Sequence, residues 1–190
     1  MYQKYNTEAL VLGSRESGES DRTVALYTRD FGLVRARATA VRKEHSKMRY
    51  ATQNYTRSLV SLIKGKRGWR LAGAAAVQNP GTDIKGVGVF VRIAELVTRL
   101  VHGEEHNAYL YDVLAETHAA LMREKVEAHA TIEIVCVARI LFALGYLSSE
   151  ALETALFTHT AYGVEHMQEA EKMRDTLLST INRAIGETQL

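Results

Sequence analysis

With 190 residues, 46% of them hydrophobic and 24% charged, the chain is long enough for one domain or two small ones and falls in the globular class rather than the disordered one. No apolar run reaches the roughly 18 residues of a membrane span, the start MYQKYNTE lacks the apolar core of a signal peptide, and the single cysteine, Cys136, excludes an internal disulfide, so no membrane partner and a cytoplasmic location are expected. The net charge of +2 conceals a division: residues 1–80 hold 15 Lys and Arg against 6 Asp and Glu, a balance of +9, and residues 81–190 hold 9 against 16, a balance of −7. A polyanion is therefore expected to meet the first part and to be repelled by the second.

In chain order, Glu8 to Arg15 reads as a short apolar strand and Glu16 to Asp21 as a polar connection containing Gly18. Thr23 to Thr28 and Leu33 to Val41 are rich in β-branched and apolar residues, with Asp30-Phe31-Gly32 between them, and predict a hairpin. Successive side chains of a strand point to opposite faces, so Val34, Ala36, Ala38 and Ala40 share one face and Arg35, Arg37 and Thr39 the other. Arg42, Lys43, Lys47 and Arg49 carry the charge onward through RKEHSKMR, which reads as an exposed loop with Glu44 alone opposing four bases. An isolated arginine pair is often just a solvated strand face. A strand face and adjoining loop of one sign make a patch that attracts a polyanion. Tyr55 to Lys64 predicts a fourth strand, and the Gly65-Lys66-Arg67-Gly68 turn leads into a fifth at Trp69 to Val77. Five strands in this span suit a barrel or a sandwich.

Asn79-Pro80-Gly81 contains the one proline of the chain and marks the change from a period of two to one of 3.6, which places a domain boundary between residues 1–80 and 81–190. Phe90, Ile93, Ala94, Val97 and Leu100 recur at helical spacing; after a break at Gly103, Leu110, Leu114, Thr117 and Leu121 do the same. Thr131 to Leu147 is apolar nearly all round and predicts a buried central helix ended by Gly145. A short helix from Ser148 or Ser149 and a long one over Val164 to Ile185 complete a helical bundle, so the class is α+β with a β domain first.

Chemistry has no visible address. His102-Gly-Glu-Glu-His106 puts glycine where a zinc-protease helix needs glutamate, and it lies at a helix break, so it reads as an interhelical loop. Cys136 sits in the apolar run IEIVCVARIL as a small core residue, and Gly86-Val-Gly88 lacks the third glycine of a dinucleotide loop. No phosphate-cradling loop with Lys-Ser or Lys-Thr is present. The expectation is a protein that is not an enzyme and needs no cofactor or metal. Phosphate contacts are assigned first to Arg35, Arg37, Arg42, Lys43, Lys47 and Arg49 and next to Lys66 and Arg67. Tyr27, Tyr50, Tyr55 and Trp69 interleave with these bases; each either stacks on a base or fills the barrel, and Tyr50, beside Arg49, suits contact best.

The order GESD at Gly18 to Asp21, then TVALYTRDFG, then a small-residue strand ending in Arg42-Lys43, and later Leu144-Gly145-Tyr146 closing an apolar helix, resembles the bacterial recombination mediator family RecO from about Glu8 to Leu147. The resemblance implies an N-terminal five-stranded OB-fold barrel and a helical domain. It also implies binding and annealing of single-stranded DNA, binding of double-stranded DNA as well, and help for RecA on strands coated by single-strand binding protein, with RecR as a further partner and the nucleoid as the place of work. Many members carry a four-cysteine zinc ribbon after the Leu-Gly-Tyr helix; Ser148 to His159 has no cysteine, so zinc is not carried over. Relatives dock the acidic tail of single-strand binding protein on the helical domain, and Arg139 is the candidate for its terminal carboxylate, with a buried arginine paired to Glu133 or another acid as the alternative. Without the resemblance, a protein-only adaptor and an RNA-binding OB protein fit the same residues.

Overall fold

Five strands, β1 (Lys4–Ser17), β2 (Asp21–Thr28), β3 (Gly32–Ala38), β4 (Arg57–Gly65) and β5 (Gly68–Gln78), precede five helices, α1 (Ile84–Leu100), α2 (Ala108–Arg123), α3 (His129–Ala143), α4 (Val164–Lys172) and α5 (Arg174–Glu187). The structure is a computed structural model and describes residues 3–81, 83–148 and 155–187. The strands close into a barrel in the order β1-β2-β3-β5-β4, antiparallel except where β3 meets β5 in parallel at Ala36 with Trp69 and Arg37 with Arg70. That connectivity is the OB-fold. β1 begins at Lys4, earlier than the apolar pattern predicts, because Lys4 to Thr7 pair with Ile63 to Val60 of β4 and Tyr5 packs against Phe31 and Trp69. A register shift between Val11 and Gly13 bends β1 so that its first part pairs β4 and its end pairs β2.

The β2–β3 hairpin turns as its sequence predicts. The Thr28 hydroxyl accepts from the Phe31 N–H and donates to the Gly32 carbonyl, each at 3.0 Å, and Gly32 takes a φ of +62°. β3 ends at Ala38, short of Val41, because Ala40 adopts a φ of +55° and its N–H is capped at 2.8 Å by the Asp21 carboxylate. The following segment is not a loose loop. Lys43, Ser46, Arg49, Gln53 and Thr56 each donate a backbone N–H to the carbonyl three residues earlier. Val41 and Met48 turn inward against Val11, Leu26, Val34, Leu62 and Leu71 to cover the barrel interior.

In the helical part, Asp83 caps α1 by accepting from the Lys85 and Gly86 N–H groups, and Asn107 caps α2 while donating to the Ala143 carbonyl. α3 ends at Gly145 as expected, with a φ of +78°, the Gly145 N–H bonded to Phe142 and the Tyr146 N–H to Leu141. The long final helix is instead two, α4 and α5, separated at Met173, whose N–H still reaches the Glu169 carbonyl. The helix expected from Ser148 or Ser149 lies largely outside the described residues; Ala155–Phe157 form one 3-10 turn. Among the described residues no helix is long and apolar enough to cross a membrane.

The two parts share a core. Leu10, Leu12, Tyr27 and Leu33 point out of the barrel and join one apolar cluster with Phe90, Ile93, Val97, Leu110 and Leu114. At about 2 kcal/mol for each large side chain removed from water, these four contribute on the order of 8 kcal/mol before entropy is subtracted. Polar contacts sharpen the fit. Arg57 and the Tyr111 hydroxyl both donate to Glu8, at 2.7 and 2.9 Å, Arg29 reaches Asp112 at 2.7 Å, and His118, buried, bonds the Tyr55 carbonyl at 2.8 Å. Exposed ion pairs of this kind give roughly 0 to 1 kcal/mol each, so the apolar contact decides the docking. The Arg57 hydrogen bond, helped by that from Tyr111, holds the Glu8 carboxyl below its usual range. Burial, then the bond to Glu8, pushes the Tyr111 phenol up to about 12.

Two outcomes follow from this docking. A Cβ at Gly32 would strike the Glu105 backbone as well as strain its left-handed turn, so Gly32→Ala should lower stability by about 2 kcal/mol or more in urea unfolding. Because the folded-state pKa of Glu8 is depressed, its contribution is complete above the ordinary glutamate range, about 4.3, and fades as pH falls through it. Thermal unfolding of Glu8→Gln should therefore show a smaller loss of Tm between pH 7 and pH 3 than the unsubstituted chain.

Candidate nucleic-acid interface

The structure gathers part of the expected basic set into one groove. Arg37 of β3, Lys66 and Arg67 of the β4–β5 turn, and Arg70 of β5 line an open depression of about 380 Å³ beside Trp69. Arg70 is there because the parallel β3–β5 pairing sets it opposite Arg37. A reading of single strands misses it; the pairing of distant strands is what brings it in. Arg35, two positions before Arg37, faces elsewhere. It lines a second groove of about 760 Å³ with Gly13, Ser14 and Arg15 of β1, Thr23 of β2, and Glu95, Thr98 and Arg99 of α1. Arg42, Lys43, Lys47, Arg49 and Tyr50 all stand exposed on the turns after β3.

Ion pairing divides these cations. Arg37 donates through Nε and Nη2 to one oxygen of Asp21, at 3.1 and 2.8 Å, and Arg42 lies 3.2 Å from Glu16 while donating to the Gly18 carbonyl at 3.3 Å. Arg35, Lys43, Lys47, Arg49, Lys66, Arg67 and Arg70 have no acidic partner among the described residues. The GESD segment thus has a structural use. Asp21 receives the Ala40 N–H first and Arg37 second, and both hold its carboxyl below the ordinary range. A carboxylate at that point fixes where β3 leaves the sheet.

The aromatic residues separate in the same way. Tyr27 is fully buried beneath the helices, Tyr55 packs edge-on against Phe90, and Trp69, 6% exposed, is enclosed by Tyr5 and Phe31 with the Lys64 ammonium 5.1 Å above its ring. Tyr27, Tyr55 and Trp69 are therefore core residues, because each ring is consumed by an intramolecular contact. Tyr50 is 66% exposed and presents its ring to solvent.

Arg139 is not at the surface. It is fully buried, and its guanidinium donates to the carbonyls of Leu156, Thr160 and Ala161 at 2.8, 2.7 and 3.2 Å, with the Tyr162 ring 4.9 Å away. The expected burial is present, but the partners are main-chain carbonyls where an acid was expected, and Glu133 is held by Arg92 at 2.6 Å. The His102–His106 segment is a strap against the barrel, with His106 bonded to the Arg29 carbonyl at 2.9 Å and Glu104 to Lys64 at 2.7 Å. Cys136 is a core residue whose thiol burial pushes up to about 11.

An OB barrel presents its strand 2–3 face and its β1–β2 and β4–β5 loops to oligonucleotides or oligosaccharides, and a lining of unpaired cations matches the anionic class of the two. A family model described as Recombination protein O N terminal matches residues 1–78. The DNA repair protein RecO of Roseiflexus sp. (strain RS-1) is 30% identical over 148 residues, covering 75% of this chain and 50% of its own length. That of Syntrophobacter fumaroxidans is 31% identical over 147 residues, 74% of this chain and 57% of its own. That of Pelotomaculum thermopropionicum is 31% identical over 115 residues, 59% and 45%. The chain belongs to the RecO family, and it spans about half the length of these curated relatives.

Asp21, which pairs with Arg37, and the unpaired Arg35 should respond differently to substitution. Asp21→Ala, which frees the Ala40 N–H and Arg37, lowers the Tm; Arg35→Gln, at an unpaired exposed site, leaves it unchanged within the error of differential scanning calorimetry.

Proposed function

We propose that this chain is a DNA repair and recombination mediator whose barrel binds single-stranded DNA along the groove of Lys66, Arg67, Arg70 and Arg37 and across the bases Lys43, Lys47 and Arg49, with Tyr50 as a stacking ring. Arg42 contributes its field while tied to Glu16. The observation that carries the reading is the convergence of three unpaired cations with Arg37 at the β4–β5 turn, on the part of the chain whose balance is +9. Relatives named DNA repair protein RecO support the same biological setting. Binding neutralises phosphates and releases counterions, which lets a second strand approach, so annealing is a consequence of binding and needs no catalytic group. Double-stranded DNA offers the same phosphates to the same surface. In this reading the helical part, with its balance of −7, faces proteins and not DNA; the partners are RecA, RecR and single-strand binding protein, and the work is done at the nucleoid.

A protein-only adaptor is the second reading, and the exposed Leu59 and Val77 on the outer side of β4 and β5 favour it. Fluorescence anisotropy of a labelled single-stranded oligonucleotide at several salt concentrations decides between them. With about four phosphate contacts, log affinity falls against log salt with a slope near −3, at about 0.7 per contact, and Lys66→Gln with Arg67→Gln makes it shallower by about 1.4. Absence of binding at low salt overturns the mediator reading in favour of the adaptor. Tighter binding of a matched RNA than of DNA in competition overturns the choice of DNA.

A further inference from the structure

Between the barrel and α1 lies the second groove, which the reading above leaves unused. Arg15, Arg35 and Arg99 line it, and none of the three has an ion-pair partner among the described residues. One acid, Glu95, faces them, and Thr23 and Thr98 add hydroxyls. The groove is fixed by the docking of the helices: the same outward face of β1 and β3 that buries Leu12 and Leu33 against the helices continues to Arg15 and Arg35. Arg99 arrives in the last turn of α1, from the acidic part of the chain.

The two grooves flank one strand. Arg35 and Arg37 both point out of β3, about 7 Å apart along it, with Arg35 in the groove toward β1, β2 and α1 and Arg37 in the groove toward β4 and β5. Thr23 and Arg70, their neighbours on either side, are paired in register with Arg37. The outer face of β3 is thus a cationic ridge between two basic troughs.

We propose that the groove of Arg15, Arg35 and Arg99 is a second DNA-backbone site, so that one chain holds two single strands side by side across the ridge. The inference rests on the reading that the barrel binds single-stranded DNA, and extends it from one strand to two. Cations between two phosphate backbones screen the repulsion that keeps free strands apart.

The test uses oligothymidylates of about 10 nucleotides, short enough for one OB barrel and unable to pair, one set carrying a donor dye and one an acceptor. At low salt and saturation, sedimentation velocity on the whole chain should show two oligonucleotides per chain, with energy transfer between the dyes. The double variant Arg15→Gln, Arg99→Gln should bind one oligonucleotide per chain, lose the transfer and keep its affinity for the first within about twofold, since unpaired exposed arginines contribute little to folding. Saturation at one oligonucleotide per unsubstituted chain overturns the two-strand proposal while leaving single-strand binding intact; so does retention of two by the variant. Absence of any bound oligonucleotide overturns the reading on which the proposal rests.

Discussion

On the outward face of β3, Leu33 is followed two positions later by Arg35 and then by Arg37, and this step from apolar to cationic is the constraint on which the molecule is arranged. Period-two geometry puts all three on one side of the sheet, so the side that packs and the side that stays wet are the same surface, divided along its length. The apolar half, completed by Leu10, Leu12 and Tyr27, takes the helices; the basic half stays open above them. The helices in turn make one wall of a groove whose other wall is the barrel. The barrel and bundle are separate in sequence and continuous in the core.

The pairing of charges refines what a count of charges suggests. Five of the bases in the barrel part, Arg29, Arg37, Arg42, Arg57 and Lys64, are held by carboxylates, and each pair fastens something: Arg29 the barrel to α2, Arg37 and Arg42 the region of the β1–β2 turn to β3 and the connection after it, Arg57 β4 to β1, and Lys64 the strap to β4. The remaining exposed bases of the barrel part form no such pair among the described residues. The acids responsible lie close in sequence to the bases in two cases, Asp21 and Glu16, and far away in the others. A balance of +9 therefore overstates the charge free to act.

Much of this was legible from residue order. The strand alternation, the Asp30-Phe31-Gly32 turn, the GKRG turn and the Gly145 stop are local signals, and each appears where its pattern places it. What escaped was non-local. Arg70 joins the groove through a parallel pairing between strands about thirty residues apart, Arg99 enters through helix docking, and the main-chain partners of the buried Arg139 come from a segment about twenty residues further on. The segment after β3 looked loose because its composition is polar, yet two inward residues, Val41 and Met48, suffice to seat it on the barrel. The final helix divides at Met173 without a proline or glycine to mark the place.

Arg139 lies over the Tyr162 ring and makes three hydrogen bonds beside it. All three bonds go to main-chain carbonyls of the segment from Leu156 to Ala161. A guanidinium used in this way reads the path of a chain and is blind to its composition, since every residue carries the same carbonyl. A substitution at Thr160 or Ala161 that keeps the backbone route therefore leaves these bonds in place. In this part of the molecule, one buried arginine fixes the route of a segment past α3 chiefly through that segment's backbone.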